Sequence, residues 1–486
     1  MAEESLKNKT IKGTMWSAAD SFLSQGVSFV VGILLARLLS PEEYGLIGLC
    51  MIVNTIIEGF IDSGFSTSLI RKKDANNDDY NTMFIVNMGI SIVLYVCVFF
   101  LSPFIADFFD RPQMADLIKV TSLILIINGL SLTQNTILIK RINFKAKTKS
   151  SFISAILSGV IGISMAFMGF GVWALVAQMV SKSLINTIVL WVINRWWPSF
   201  SFSIVSLKYM WGFGWKMLLS GFLDRLWKEV YQLIVGKFYS PATLGQYSRA
   251  KHYATLFSSN LNKVVMQVSY PVLASIQDDE KRMVGVYRRI IKTTMFITAV
   301  CMFTLAGISE PMIRVLLGDK WLQAASFLPL VCISMSIYPL HAINLNMLKV
   351  TGRTDLFLKY EILKKIISIG PICLGIFVGI YAMLIGSIVI GIISFFINSW
   401  YTGKRLGYTS WKQIIDIAPN FAVGLTIFLS VYFLKYLPLS PFYILPLQLI
   451  VVVVVFFFIA ETTRLQQYLE IKEITIKAIA QLCRNK

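Results

Sequence analysis

Charge is what this sequence is short of. Asp, Glu, Lys and Arg make up 15% of its 486 residues, against about 25% in soluble globular chains. Acids are the scarcer sign, 26 against 45 bases, and there are two histidines, His252 and His341. So few titratable side chains, with no Gly-rich phosphate loop and no nucleophile elbow, leave no catalytic constellation to assign, and an enzyme is not expected. The six cysteines (Cys50, Cys97, Cys301, Cys332, Cys373, Cys483) are scattered without paired spacing, which excludes a disulfide framework and a cysteine metal site. No metal ligand set and no organic cofactor is indicated. Polar stretches long enough to form a soluble domain are also missing, so the net charge of +19 has no nucleic-acid-binding module to sit on. The first ten residues are polar and the apolar run that follows is too long for a signal-peptide core, so no cleavable leader is expected.

What is present is apolar length. Hydrophobic residues are 56% of the chain, and runs of about 20 of them, enough to cross a bilayer as helix, recur from end to end. They fall near 14–36, 46–70, 82–104, 117–139, 151–168, 172–194, 213–236, 251–273, 291–309, 324–347, 361–379, 381–401, 416–434 and 442–460. The pair 151–168 and 172–194 is divided only by Gly169-Phe170-Gly171. The expected fold is an all-α integral membrane protein of about 14 transmembrane helices.

Lys and Arg set the orientation. Counted on alternate sides of these spans they divide roughly 32 to 9, with clusters such as Arg71-Lys72-Lys73 and Lys145, Lys147, Lys149 on the side of the N-terminus. Both termini are therefore expected in the cytoplasm, and contact with anionic lipid headgroups is the expected use of the excess positive charge.

An internal repeat organises the chain. Val31–Leu49 (VGILLARLLSPEEYGLIGL) matches Leu233–Ser248 (LIVGKFYSPATLGQYS), aligning Ser40-Pro41 with Ser240-Pro241 and Gly45 with Gly245 at an offset of 200 residues. Pro103-FIADFFDRPQMADL resembles Pro311-MIRVLLGDKWLQAA, and Lys140 matches Lys349. Both turns follow an outward-going span, so the halves are parallel repeats about an axis along the membrane normal. The expected domains are a first lobe over 1–205, a second over 206–412, two additional spans in 413–460 and a cytoplasmic amphipathic tail over 461–486.

Charges inside spans are the candidate site. Each costs about 2.5–3.5 kcal/mol at the bilayer centre, so they face a bundle interior or a wetted cavity. The seventh span carries Asp224, Arg225, Lys228 and Glu229, with Asp224/Lys228 and Arg225/Glu229 at i,i+4. Asn54, Glu58 and Asp62 form a stripe on the second span, and Gln178, Lys182 and Asn186 one on the sixth. Lys263 lies on the eighth and Asp20 on the first. These are cations able to meet an anionic group and carboxylates able to take a proton or Na⁺; buried ion pairs that glue helices together are the alternative.

W16-x3-D20, LLARLLSPEEYGLIGL, DSGFSTSLIRK (Asp62–Lys72), FFDRP (Phe108–Pro112) and PMIRVLLGDKW (Pro311–Trp321) resemble the multidrug/oligosaccharidyl-lipid/polysaccharide exporter superfamily, nearest its bacterial polysaccharide and O-antigen unit flippases. The resemblance covers spans one to twelve. It implies two pseudo-symmetric six-helix lobes, as in MATE exporters, with two extra C-terminal helices. The implied function is translocation of undecaprenyl-diphosphate-linked oligosaccharide across the bacterial inner membrane by alternating access, with possible H⁺ or Na⁺ coupling. Implied partners are the lipid-linked oligosaccharide, membrane lipids, and a polysaccharide polymerase with its chain-length regulator. On this reading Lys182, Arg225, Lys228 and Lys263, with Asp224 and Glu229, line the substrate cavity, and Asp20, Asn54, Glu58 and Asp62 serve ion coupling or sugar binding. A MATE-type multidrug/cation antiporter is the alternative, and a membrane polymerase or glycosyltransferase a distant third.

Overall fold

A computed structural model describes residues 23–61, 64–199, 201–276, 279–470 and 472–473, with only the backbone described at 213, 216, 217, 219, 220, 259–268, 270, 271 and 354. Helices joined by short turns and loops make up the described residues, with no strand among them. In chain order the helices are α1 (Leu23–Leu38), α2 (Pro41–Ile61), α3 (Phe65–Arg71), α4 (Asn77–Phe108), α5 (Met114–Thr121), α6 (Leu123–Lys140), α7 (Phe144–Phe167), α8 (Val172–Asn194), α9 (Ile204–Phe238) and α10 (Pro241–Ser275). They continue as α11 (Glu280–Gly307), α12 (Ser309–Leu316), α13 (Leu322–Ser336), α14 (Tyr338–Val350), α15 (Thr354–Ile367), α16 (Ile369–Phe377), α17 (Ile380–Leu406), α18 (Ser410–Tyr432) and α19 (Pro441–Thr463). The apolar runs anticipated from the sequence are mostly helical where they are described, but several are broken into two helices, at Gly64, Ser122, Ile308, Ile337 and Ser368. Ten of the described helical stretches are long and apolar enough to cross a membrane. The 35-residue helices α9 and α10 are not among the ten, because polar and charged side chains interrupt their apolar runs.

Local chemistry fixes the helix ends. Ser40 and Glu43 form a reciprocal cap at the start of α2: the Glu43 amide donates to Ser40 Oγ at 3.2 Å and the Ser40 amide to Glu43 Oε2 at 2.6 Å. The second copy of the turn keeps half of this arrangement, with the Thr243 amide donating to Ser240 Oγ at 3.2 Å. Proline follows the cap in both, where its missing N–H is no loss. Asn76 and Asp79 form the same kind of box on α4, braced by Lys72 Nζ on Asp79 Oδ1 at 2.7 Å. Gly169 (φ +82°) and Gly171 (φ +55°) turn α7 back into α8, so the two runs divided by Gly-Phe-Gly are separate antiparallel helices.

The described chain divides into two compact units, Met1–Gly245 and Gln246–Lys486. In the first, small residues allow close helix crossings: Gly129 of α6 lies on Ser91 of α4, Gly159 of α7 on Val31 of α1, and Gly162 of α7 on Gln178 of α8. Helix α9, which the repeat assigns to the second lobe, packs along α2, α3 and α4 and belongs to this unit. In the second unit a core of Tyr287, Ile291, Met295, Ile343, Met347 and Phe395 joins α11, α14 and α17. Helix α18 packs along α11, with Gly424 against Phe303 and Gly307 against Val431. A buried polar network continues this seam: Tyr287 Oη donates to Asn344 Oδ1 at 2.8 Å, and Asn344 Nδ2 to Gln413 Oε1 at 3.0 Å. The chain after α19 turns at Arg464 (φ +46°) and buries Tyr468 beside Phe296 and Ala460. Leu465 packs there too, while Leu469 stays exposed.

Candidate functional site

Five helices of the first unit bring intramembrane polar side chains together. On α2, Glu58 Oε1 accepts from Asn128 Nδ2 of α6 at 2.8 Å. Asn128 Oδ1 in turn accepts from Ser183 Oγ of α8 at 2.6 Å. The preceding residue, Lys182, donates from Nζ to Ser28 Oγ of α1 at 3.1 Å. One turn before Glu58, the buried Asn54 accepts from Ser122 Oγ at 2.9 Å, at the junction of α5 and α6. Its Nδ2 is fully buried without a partner among the described atoms, a state that costs roughly 1–3 kcal/mol in a dry interior and so marks a place where water or a ligand group fits.

Helix α9 supplies the cations. It runs alongside α2 at Gly59, where a Cβ would stand in ordinary contact, 3.4 Å from Arg225 Cδ and 3.4 Å from Phe222 Cα. Phe60 and Phe222 pack at a centroid separation of 4.5 Å beside this contact. One turn on, Asp224 and Lys228 form the expected i,i+4 ion pair at 2.6 Å, with side chains 57% and 63% exposed. Glu229 accepts from Gln232 Nε2 at 2.9 Å. Exposed charges on a helix of this length suit a water-filled space and are excluded from a lipid-facing position by their cost.

Both ends of α9 are held. At its C-terminal end Lys237 Nζ donates to the Phe108 carbonyl at 2.5 Å and to Asp110 Oδ2 at 2.7 Å. That ammonium holds the Asp110 carboxyl below the usual carboxylate range. At the other end Trp211 packs on Phe65 at 6.1 Å and Lys72 Nζ lies 5.5 Å over the Tyr209 ring. Between these anchors lie the four charges.

Of the residues singled out from the sequence, Asn54, Glu58, Lys182 and Arg225 lie on helices that meet in this unit, and Asp224, Lys228 and Glu229 lie beside Arg225 on α9. Asp20 and Asp62 lie outside the described residues, as does the Lys263 side chain, whose backbone is in α10. The anticipated stripe on α8 is divided: Gln178 packs on Gly162 and Asn186 Oδ1 accepts from Ser150 Oγ at 2.7 Å, both on α7. Only Lys182 leaves that seam, reaching α1. Asn128 and Ser183 were not legible as site residues, since each is one amide or hydroxyl in an apolar run; the i,i+1 pairing of Ser183 with Lys182 is the signal available.

The helical fold of the described residues, with its ten membrane-length apolar helices, is shared with solved structures. The fold matches the inward closed conformation of the lipid II flippase MurJ at a TM-score of 0.71 and 15% identity, covering 93% of this chain and 98% of that one. It also matches an inward-facing multidrug resistance MATE family transporter at 0.60 and 16%, covering 80% and 96%. The chain belongs to the polysaccharide biosynthesis protein family, whose model matches residues 34–326. Relatives at 24% identity include the succinoglycan biosynthesis transport protein ExoT of Rhizobium meliloti (strain 1021), over 74% of this chain and 73% of that protein. The lipopolysaccharide biosynthesis protein WzxC of Escherichia coli (strain K12) matches over 85% and 84%, also at 24%. The teichuronic acid biosynthesis protein TuaB of Bacillus subtilis (strain 168) matches over 72% and 73% at the same identity.

Proposed function

We propose that this protein is a flippase that moves undecaprenyl-diphosphate-linked oligosaccharide from the inner to the outer leaflet of the bacterial inner membrane by alternating access, coupled to H⁺ or Na⁺. The observation that carries the reading is the set of cations and carboxylates on helices α2, α8 and α9, in a chain of the polysaccharide biosynthesis family. A sugar-diphosphate headgroup cannot cross about 30 Å of hydrocarbon unaided. Lys182, Arg225, Lys228 and Lys263 offer counter-charges to the diphosphate, flanked by Asp224 and Glu229. Glu58, with Asn54, Asp20 and Asp62, offers carboxylate and amide groups to the coupling ion or to sugar hydroxyls. The repeat supports two six-helix lobes, 1–205 and 206–412, and the Lys and Arg asymmetry supports cytoplasmic termini. A transport role fits without catalysis, and a polysaccharide polymerase with its chain-length regulator would receive the product.

The test is reconstitution with a fluorescent undecaprenyl-diphosphate oligosaccharide, following its exposure to a membrane-impermeant reagent. Wild type should expose the lipid in minutes, and Lys182→Ala and Arg225→Ala should slow it at least about tenfold, the cost of about 1.4 kcal/mol of lost charge pairing. No exposure by wild type, with export of a cationic dye instead, would replace this reading by the MATE-type antiporter, the fold shared at a TM-score of 0.60.

A further inference from the structure

We propose that Asn128 is the positioning residue that couples occupancy of the Glu58 carboxylate by a monovalent cation, H⁺ or Na⁺, to substrate engagement on α8. The inference rests on the flippase reading. Its basis is the direction of two hydrogen bonds. Ser183 Oγ donates to Asn128 Oδ1 at 2.6 Å, which leaves Nδ2 to point the other way, and Nδ2 donates to Glu58 Oε1 at 2.8 Å. The amide is thereby locked in one sense between α8 and α2.

That lock responds to charge. A donor to a carboxylate makes a shorter, stronger bond than a donor to a neutral carboxyl or to one already engaged by a cation. Neutralising Glu58 therefore weakens the Nδ2 contact, and the loss passes through the same planar amide to Ser183. The residue before Ser183 is Lys182, whose Nζ already bridges to Ser28 of α1. A change at Glu58 is thus felt, two hydrogen bonds away, by the backbone segment that carries a diphosphate counter-charge. Linkage requires the reverse effect with equal strength, so substrate on Lys182 shifts cation affinity at Glu58.

The charged group beside Glu58 is Arg225 on α9, whose side chain lies against Gly59; α8 carries Lys182, whose Nζ is engaged by Ser28, and Asp62 lies outside the described residues. Helices α4, α5 and α6 bring charges only towards their ends: Asp78, Asp79 and Asp107, Asp116 and Lys119, and Lys140. None of these supplies a second hydrogen-bonded route from Glu58 to α8 among the contacts described.

The experiment compares flipping rates in proteoliposomes with and without an imposed pH gradient, and with and without a Na⁺ gradient, for wild type, Asn128→Leu and Ser183→Ala. The readout is the ratio of driven to undriven rate, which a purely structural defect lowers in both terms alike. Wild type is expected to respond to one gradient, on the order of tenfold, within the usual range of coupling. Asn128→Leu should bring that ratio to about one, and Ser183→Ala should lower it partway, because the amide can then rotate. If Asn128→Leu does not fold, as judged by its melting transition, the Ser183→Ala ratio decides. A wild-type ratio retained in either folded variant overturns the role of Asn128 and leaves the flippase reading standing. Failure of wild type to flip the lipid at all overturns that reading, and this inference with it.

Discussion

Gly45 and Gly245 face each other's turns: a Cβ on Gly45 would overlap the Pro241 carbonyl, and one on Gly245 the Pro41 carbonyl. The two copies of the Ser-Pro-x-x-x-Gly turn therefore pack reciprocally, each glycine on the backbone that opens the other copy's helix. Backbone cannot step aside as a side-chain tip can, so Gly45→Ala or Gly245→Ala forces a shift of the seam. Overpacking of this kind costs about 1–3 kcal/mol. The melting temperature in detergent should fall for each variant, and the double variant should lose less than the sum, since both act on one seam.

Glu58→Gln keeps the shape of the side chain and an acceptor for Asn128, and removes the charge. If the carboxylate is where the coupling ion binds, the gradient-driven part of transport should fall about tenfold or more. The melting temperature should move little or rise, because a half-buried carboxylate is costly to desolvate. A gradient response equal to wild type would move the coupling ion elsewhere.

The anchor at the C-terminal end of α9 has a defined pH sense. Lys237 lowers the Asp110 carboxyl below its ordinary range, so the contact stabilises the fold above the ordinary aspartate value of about 3.9. It is lost as pH falls through the lowered folded value. Lys237→Met should therefore show a constant difference in melting temperature from wild type between about pH 5 and 8. The two curves should converge below about pH 4, where Asp110 takes up its proton. A difference that already changes between pH 5 and 8 would mean the contact is not what holds α9 there.

Asp416 on α18 is the acceptor at the centre of another seam. Arg288 of α11 reaches both its oxygens, with Nη2 on Oδ1 at 2.6 Å, and the buried Tyr408 hydroxyl donates to Oδ2 at 2.8 Å. Asp416→Ala leaves the tyrosine hydroxyl without its acceptor, while the half-exposed guanidinium regains water. A loss of about 1–3 kcal/mol is expected, read as a lower melting temperature. Tyr408→Phe in the same background should then cost almost nothing. A large additional loss would show that the hydroxyl has another acceptor.

Orientation can be read by thiol labelling in a background whose native cysteines are replaced. Lys435→Cys, beyond α18, should react with impermeant reagent added outside the cell, and Lys145→Cys, at the start of α7, should not.

Composition and periodicity alone determined a good deal about this protein. Scarcity of charge with recurrent 20-residue apolar runs forces spanning helices, since only a helix satisfies its own backbone in lipid. The Ser-Pro caps and the Gly-Phe-Gly turn then fix where α2, α8 and α10 begin. The cost of burying charge picked out Glu58, Lys182 and Arg225. What a one-dimensional pattern could not carry was which faces meet. The stripe Gln178, Lys182, Asn186 reads as one surface, but its ends are absorbed by α7 and only Lys182 reaches α1. Asn128 and Ser183 were invisible because a single amide in an apolar run acquires meaning only from what stands opposite it. That opposition is set by the crossings of α2, α6, α8 and α9, helped by close approaches at small residues such as Gly129 and Gly162. Tertiary packing therefore decided the site, because a hydrogen bond needs two partners within about 3 Å and sequence spacing specifies only one of them.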